Sequence, residues 1–586
     1  MPIPKLCLFL AFTVCSQICP QAAVAATTPA WVGRSNLNSE LVFDAIGQFQ
    51  PELASQFGVE RLDTAVLDLR PGVAGRYDLA ARNILRTLAR KRAAETDRNV
   101  RQDLDILIDA AEKMRHIRAL EERLLIPYTD LPRQMFEGLQ VLLDARNGAS
   151  RMGKALLRLQ RYAGLYAGAI PLTTLAEARI RERMDWAGRV WPYEREVRQG
   201  LSNCKTYMDG IADLFRASAV PDWQPAQARL SAQVKDYCEW VRLVVLPRAR
   251  KDPMLPRELY AARLRQAGVY LEPEQAIAIG TFAFAEIRDE MVLLGAQIAR
   301  ARGMPSGDYR EVLRELKRDT VPPEKILELY RGRLRNIEEI IVREHLLTLP
   351  QRPAAIRIAT EAEFAATQAP SMNAPRLVGN QGEVGEFILP LRNPNATSSE
   401  PMNDFTSGAA AWTLTAHEAR PGHELQFAAM VERGVSVARA IFAFNSTNVE
   451  GWGLYAESIM RPYFPQEGQL FSLQLRLLRA ARAFLDPMVN LGRMTPAAAK
   501  EFIIREVAFS EPFAQQEADR YAFGAPGQAV SYLYGYTRLR ELRLKAELAL
   551  GRKFDAHKFH DAIMAQGLLP PALLERAILE DLTRPE

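Results

Sequence analysis

The sequence predicts a mostly α-helical fold with one small extended or β element, and three observations carry that expectation. Apolar residues recur at three- and four-residue spacing through 79–125, 172–217, 226–246 and 273–302, with Arg, Lys and Glu between them. That is the pattern of amphipathic helices. Proline and glycine fall at the joints, at Pro71-Gly72, Pro127, Pro221, Pro253 and Pro322-Pro323, as between stacked helices. The texture then breaks once, over 350–405. Pro350, Pro353, Pro370, Pro375, Pro390, Pro394 and Pro401 lie there beside two short apolar runs, 356–360 and 387–391. A small sheet or extended loops fit that stretch better than helix.

Four regions follow. Residues 1–25 read as a secretory signal peptide. Lys5 is their only charge, 6–14 is a short apolar run, and Ala23-Val24-Ala25 is an A-x-A cleavage pattern. The expected product is exported, periplasmic or secreted, after cleavage near Ala25. A lipid anchor on Cys15 or Cys19 is disfavoured, because Val14 and Ile18 are bulky where a small residue is expected. Residues 26–349 form a helical N-terminal region, 350–406 the extended or small-sheet region, and 407–586 a second helical region. No later stretch offers the roughly 20 apolar residues of a membrane span. Cys204 and Cys238 remain after signal removal. An oxidising compartment permits a disulfide between them, and two buried free thiols are the alternative.

Hydrophobic residues make up 48% and charged residues 25% of the chain, which excludes disorder for the bulk. A net charge of +5 over 586 residues leaves no electrostatic footprint for nucleic acid. The chain has no GxSxG elbow, no Walker loop, and no GxGxxG after a strand.

The chemistry concentrates in His417-Glu418-Ala419-Arg420-Pro421-Gly422-His423. A His-Glu pair before a second His is close to HExxH, in which two histidines one turn apart bind zinc and Glu is the base. Here the second His is at i+6. On a regular helix that is about 240° of net rotation and about 9 Å of rise, so the rings would diverge. Pro421-Gly422 can break the helix and bring His423 back. A third ligand must come from elsewhere. The candidate is Glu450, in Glu450-Gly451-Trp452-Gly453-Leu454-Tyr455-Ala456-Glu457. Glu457 stands seven residues on, hence on the same helix face. Gly451 and Gly453 each cost about 1 kcal/mol in a helix, and make sense where another element approaches closely.

Together these segments resemble the DUF885 family, a group of predicted metallopeptidases similar to the mostly helical zinc carboxypeptidases and oligopeptidases. The likeness extends to Pro526-Gly527-Gln528-Ala529 with Tyr532 and Arg543, and to Phe559-His560-Asp561 before Gly567. It covers most of the mature chain and is strongest from about Gly385. The resemblance implies a metallopeptidase-like multi-helix fold with a central cleft. It implies one zinc ion held by His417, His423 and Glu450, with Glu418 as general base and Tyr532 as oxyanion donor. Arg543 and His560 are candidates for substrate binding, and Glu457 for orienting a ligand histidine. Two departures stand out. Ala419-Arg420 occupy positions where many members carry a Gly-aromatic pair, and 386–390 differs from the commoner pattern.

The expected activity is hydrolysis of short peptides by metal-activated water, the partner being a peptide or peptide-like substrate. Two alternatives are a metal-dependent amidase acting on a non-peptide small molecule, and a peptide- or metal-binding protein without turnover. Substrate side chains, cleavage direction and oligomeric state are not set by the sequence. His116, His345 and His557 read as isolated helical histidines.

Overall fold

The amphipathic runs form helices, with two divisions the periodicity did not give. The 172–217 run separates into Leu172–Arg181 and Glu194–Ala217. The 79–125 run splits into Val73–Ala94 and Arg98–Leu124. Asp97 caps the second helix, its carboxylate accepting from the Asn99 and Val100 amides, which satisfies otherwise unpaired first-turn donors. The computed structural model describes residues 29–166, 168–367, 369–390 and 403–583. The signal-peptide reading, with Cys15 and Cys19, lies outside the described residues. No helix among the described residues is long and apolar enough to cross a membrane.

In the N-terminal region, Leu131–Leu143, Glu194–Ala217 and Gln224–Trp240 share one apolar core built on Phe136, Tyr207, Phe215 and Leu230. Cys204 and Cys238 form a disulfide joining the last two of these helices.

Residues 350–406 do contain a small sheet. Strands β1 (Ala355–Ile358), β2 (Ser371–Asn373) and β3 (Glu386–Leu389) are ordered β1-β3-β2. β3 runs parallel to β1, with Ile356 opposite Phe387, and antiparallel to β2, with Met372 opposite Phe387. A short helix, Glu361–Ala366, interrupts the stretch, started by a capping box between Thr360 and Glu363.

Two close helix pairs frame the C-terminal region, one of them with a helix from the N-terminal region. Gln466–Asn490 packs on Pro273–Arg302, where a Cβ on Gly280 would lie 2.9 Å from the Ala483 Cβ. Ser446–Met460 packs on Ser531–Leu550, backbone against backbone. A Cβ on Gly451 would lie 2.6 Å from the Gly535 carbonyl carbon, and one on Gly535 would lie 2.0 Å from the Thr447 carbonyl oxygen. Gly535→Ala is therefore expected to force the pair apart and to destabilise the protein by about 1–3 kcal/mol, read as a lower thermal midpoint.

The cores ignore the regional boundaries. One cluster runs from Phe284 through Ile356, Phe387 and Phe405 to Leu533, and another joins Phe43 to Phe427, Ile441 and Leu568. Between the halves lies a cleft of about 1640 Å³. Glu52, Asp130 and Arg133 come to it from the first half, Met372 and Ile388 from the sheet, and Glu418, Glu450 and Tyr532 from the second half.

Candidate metal centre

The helix that begins at Ala410–Leu414 widens into a π turn over Thr415–Ala419, which carries His417 and Glu418. The helix ends there. Arg420 is extended, with φ −125° and ψ 136°, the Arg420-Pro421 peptide is cis, and a new helix, His423–Arg433, starts after Gly422. The chain folds back so tightly that a Cβ on Gly422 would lie 1.9 Å from the His417 carbonyl oxygen, which only glycine allows. The Trp452 indole N–H donates to the Pro421 carbonyl at 2.9 Å, pinning the break to the helix that carries Glu450.

This geometry returns the second ring. The His417 and His423 ring centroids are 4.6 Å apart, at 79° to one another. Both Nε2 atoms face one oxygen, Glu450 Oε2, at 3.5 Å from His417 and 3.3 Å from His423. One donor atom from each residue lies within 4.8 Å of the others. Glu450 Oε2 is buried without a hydrogen-bond partner among the described residues. A tetrahedral ion with bonds of about 2.0–2.1 Å spaces its donors about 3.3 Å apart. The two spacings to Glu450 Oε2 match that, so the residues of the triad suit a divalent ion.

The two glycines beside Glu450 have separate duties. Gly451 admits the Ser531–Leu550 helix, and Gly453 admits the His417 ring, where a Cβ would lie 2.5 Å from Cε1. His417 Nδ1 is 2.8 Å from Glu457 Oε1, and the other Glu457 oxygen accepts from the Thr413 hydroxyl at 2.8 Å. His417 is thus oriented from behind. His423 Nδ1 has no such partner among the described residues.

Burial alone would lower the His417 imidazolium, but the Glu450 and Glu457 carboxylates beside it outweigh that and hold it up at about 9. Burial works to raise Glu450, yet the two imidazoles hold it well below the usual carboxylate range. Glu457 is likewise held down, against burial, by Arg479 and His417. Glu418 goes the other way. Burial pushes its carboxyl up, and the His417 and His423 rings only partly oppose this. Three buried carboxylates thus surround two imidazoles.

Tyr532 stands beside the triad. Its ring lies nearly parallel to that of His417, with centroids 6.5 Å apart, and the Arg482 and Arg479 guanidiniums sit 4.5 and 5.6 Å from its centre. Burial pushes its phenol up, with the Glu450 charge adding to the effect. Arg543 and His560 go elsewhere. Arg543 pairs with Glu547 and donates to the Tyr455 hydroxyl at 3.1 Å. His560 faces the same hydroxyl at 3.0 Å through Nε2 and the Leu346 carbonyl at 2.7 Å through Nδ1. Neither residue lines the cleft, so the structure does not bring them to the triad.

Arg420 also points away from the cleft, buried against Glu424 and Glu338. The unusual 386–390 segment supplies β3, and Ile388 and Pro390 line the cleft. His345 corrects its sequence reading. It sits beyond the end of Ile326–Arg343 at φ 54°, its ring edge-on to His557 at 5.4 Å.

No curated protein matches the chain. Among solved structures, a "putative lipoprotein" from Colwellia psychrerythraea superposes with a TM-score of 0.76 at 18% identity, covering 94% of this chain and 98% of that one. A "putative lipoprotein of unknown function" from Shewanella oneidensis gives 0.70 at 17% identity, covering 94% and 100%. These likenesses carry the fold. A family model described as "Bacterial protein of unknown function (DUF885)" matches residues 51–578, and the chain belongs to that family.

Proposed function

We propose that this protein is an exported zinc-dependent hydrolase that cleaves short peptides. The observation that carries the reading is the convergence of His417 Nε2, His423 Nε2 and the unpartnered Glu450 Oε2 in the cleft, with Glu418 beside them. A zinc ion held there supplies a Lewis acid that lowers the pKa of water and polarises a carbonyl.

The chain's own residues do the rest. Glu418 lines the cleft and is coupled electrostatically to His417, His423 and Glu450. It takes a proton from the attacking water on a carboxylate oxygen and delivers it to the departing amine nitrogen. Tyr532 donates its phenolic hydrogen to the oxyanion that develops on the carbonyl. Glu457 holds Nδ1 of His417 so that Nε2 faces the cation. Glu457→Gln is expected to lower zinc affinity about 10- to 100-fold, measured by competition with a chelating dye.

The cleft volume favours peptides over a small metabolite. About 1640 Å³ exceeds the roughly 300–1,000 Å³ that enclose a drug-sized ligand. Three observations support export: the A-x-A pattern at Ala23-Val24-Ala25, the disulfide between Cys204 and Cys238, and the lipoprotein descriptions of the two structural neighbours. The deciding experiment is elemental analysis of the purified chain together with a short-peptide panel, run against acylated amines. One zinc per chain with peptide cleavage supports the reading. A full zinc site without turnover on any amide makes this a binding protein.

A further inference from the structure

Among the described residues, the cleft carries one cation whose carboxylate partner is already taken. Arg133 pairs with Glu137, Arg146 with Asp144, Arg263 with Glu121, and Lys113 with Asp109. Arg520 differs. The acid nearest to it, Glu517, is engaged through both oxygens by Arg482, at 2.7 and 2.5 Å, and stands 3.6 Å from Arg520 Nε. Arg520 Nη1 donates to Gln528 Oε1 at 3.0 Å. Its Nη2 has no hydrogen-bond partner among the described residues, and the side chain lines the cleft about one-fifth exposed.

Gln528 sets where that guanidinium sits. Its amide nitrogen donates to the Ser446 hydroxyl at 2.8 Å, so its oxygen is committed to Arg520. Ser446 and Glu450 are one turn apart on the same helix, about 6 Å along the axis. Arg520 lines the same cleft as Glu450, and its charge acts on the Tyr532 hydroxyl beside the triad, so a peptide whose scissile carbonyl lies at the triad can present a neighbouring group to it.

We infer that Arg520, held by Gln528, forms a carboxylate-binding subsite that selects peptides with an anionic group near the cleaved bond. This rests on the proposed hydrolase reading and names the substrate class for that site. The anion is a chain-terminal α-carboxylate or an Asp or Glu side chain, and a planar guanidinium with free N–H groups suits either.

The test uses the full mature protein and matched short peptides that end in a free acid or an amide, and that carry Asp or Asn near the cleaved bond. Wild type is expected to prefer the anionic member of one pair about 10- to 100-fold in kcat/KM, the usual worth of a charge-assisted hydrogen bond. Arg520→Gln should erase that preference by slowing the anionic peptide and leaving the neutral one unchanged. Loss confined to the acid–amide pair identifies the chain terminus, and loss confined to the Asp–Asn pair identifies a side chain. Equal cleavage of both pairs by wild type, or an equal fall for all peptides in Arg520→Gln, overturns the subsite. Binding of the same peptides to Glu418→Gln separates the two proposals. Arg520-dependent preference for the anion without any wild-type turnover keeps the subsite and removes the hydrolase. Absence of both binding and turnover removes both.

Discussion

Glu418→Gln is expected to retain one zinc per chain and to lower kcat by about 10²–10⁴-fold, the usual contribution of a positioned general base. The amide has the shape of the carboxylate but cannot take the proton of the attacking water. Glu418 lies outside the triad of converging donors, so the ion should stay. The side chain is only 7% exposed, and burial disfavours its charge. A neutral replacement should therefore leave the thermal midpoint unchanged or raise it. Zinc content by elemental analysis and turnover on the best peptide give the two readouts. Retained wild-type turnover would assign the proton transfer to another group.

His423→Ala is expected to abolish both zinc uptake and the stabilisation that zinc brings. A ligand at 100 times its Kd stabilises the folded state by about 2.7 kcal/mol, so wild type should melt higher with zinc than after chelation. The variant should melt alike in both. His423 is the cleaner ligand to remove. Deleting His417 would also strip Glu457 of its partner and leave a void against Gly453. The Nδ1 of His423, by contrast, carries no hydrogen bond among the described residues. A variant that still takes up one equivalent and melts higher with zinc would displace the ion from the triad.

What the sequence made legible was local. Two histidines six apart with Pro-Gly between them demand a broken helix, because an unbroken one separates the rings. The π turn at Thr415–Ala419 and the restart at His423 are that break. Gly451 and Gly453 announced close neighbours, though not which ones. The helix-rich texture and the small sheet were legible for the same reason, since both follow from spacing and proline. The cleft wall was not legible. Arg482 meets Glu517 only because two separate helices pack together. Arg520 stands one turn from Glu517 and eight residues before Gln528, and of these four residues only Gln528 lay in a segment the sequence singled out. Arg543 and His560 illustrate the converse. Their spacing places them on helices, but the face they present is set by Tyr455, which occupies both. The Trp452 indole is a middle case. The motif contains it, yet its bond to Pro421 is visible only in three dimensions.

The shared cores bear on any attempt to dissect the chain. Phe43 packs in the same cluster as Phe427 and Leu568, and Phe284 in the same cluster as Leu533. A fragment excised from residue 407 onward would hold all three triad donors yet expose the apolar faces that the first 350 residues cover. It should be recovered as insoluble material, however complete its motif. Transplanting the HEARPGH segment onto another scaffold should fail for the same reason. Homologous proteins are then expected to exchange this segment only together with the entire helical shell.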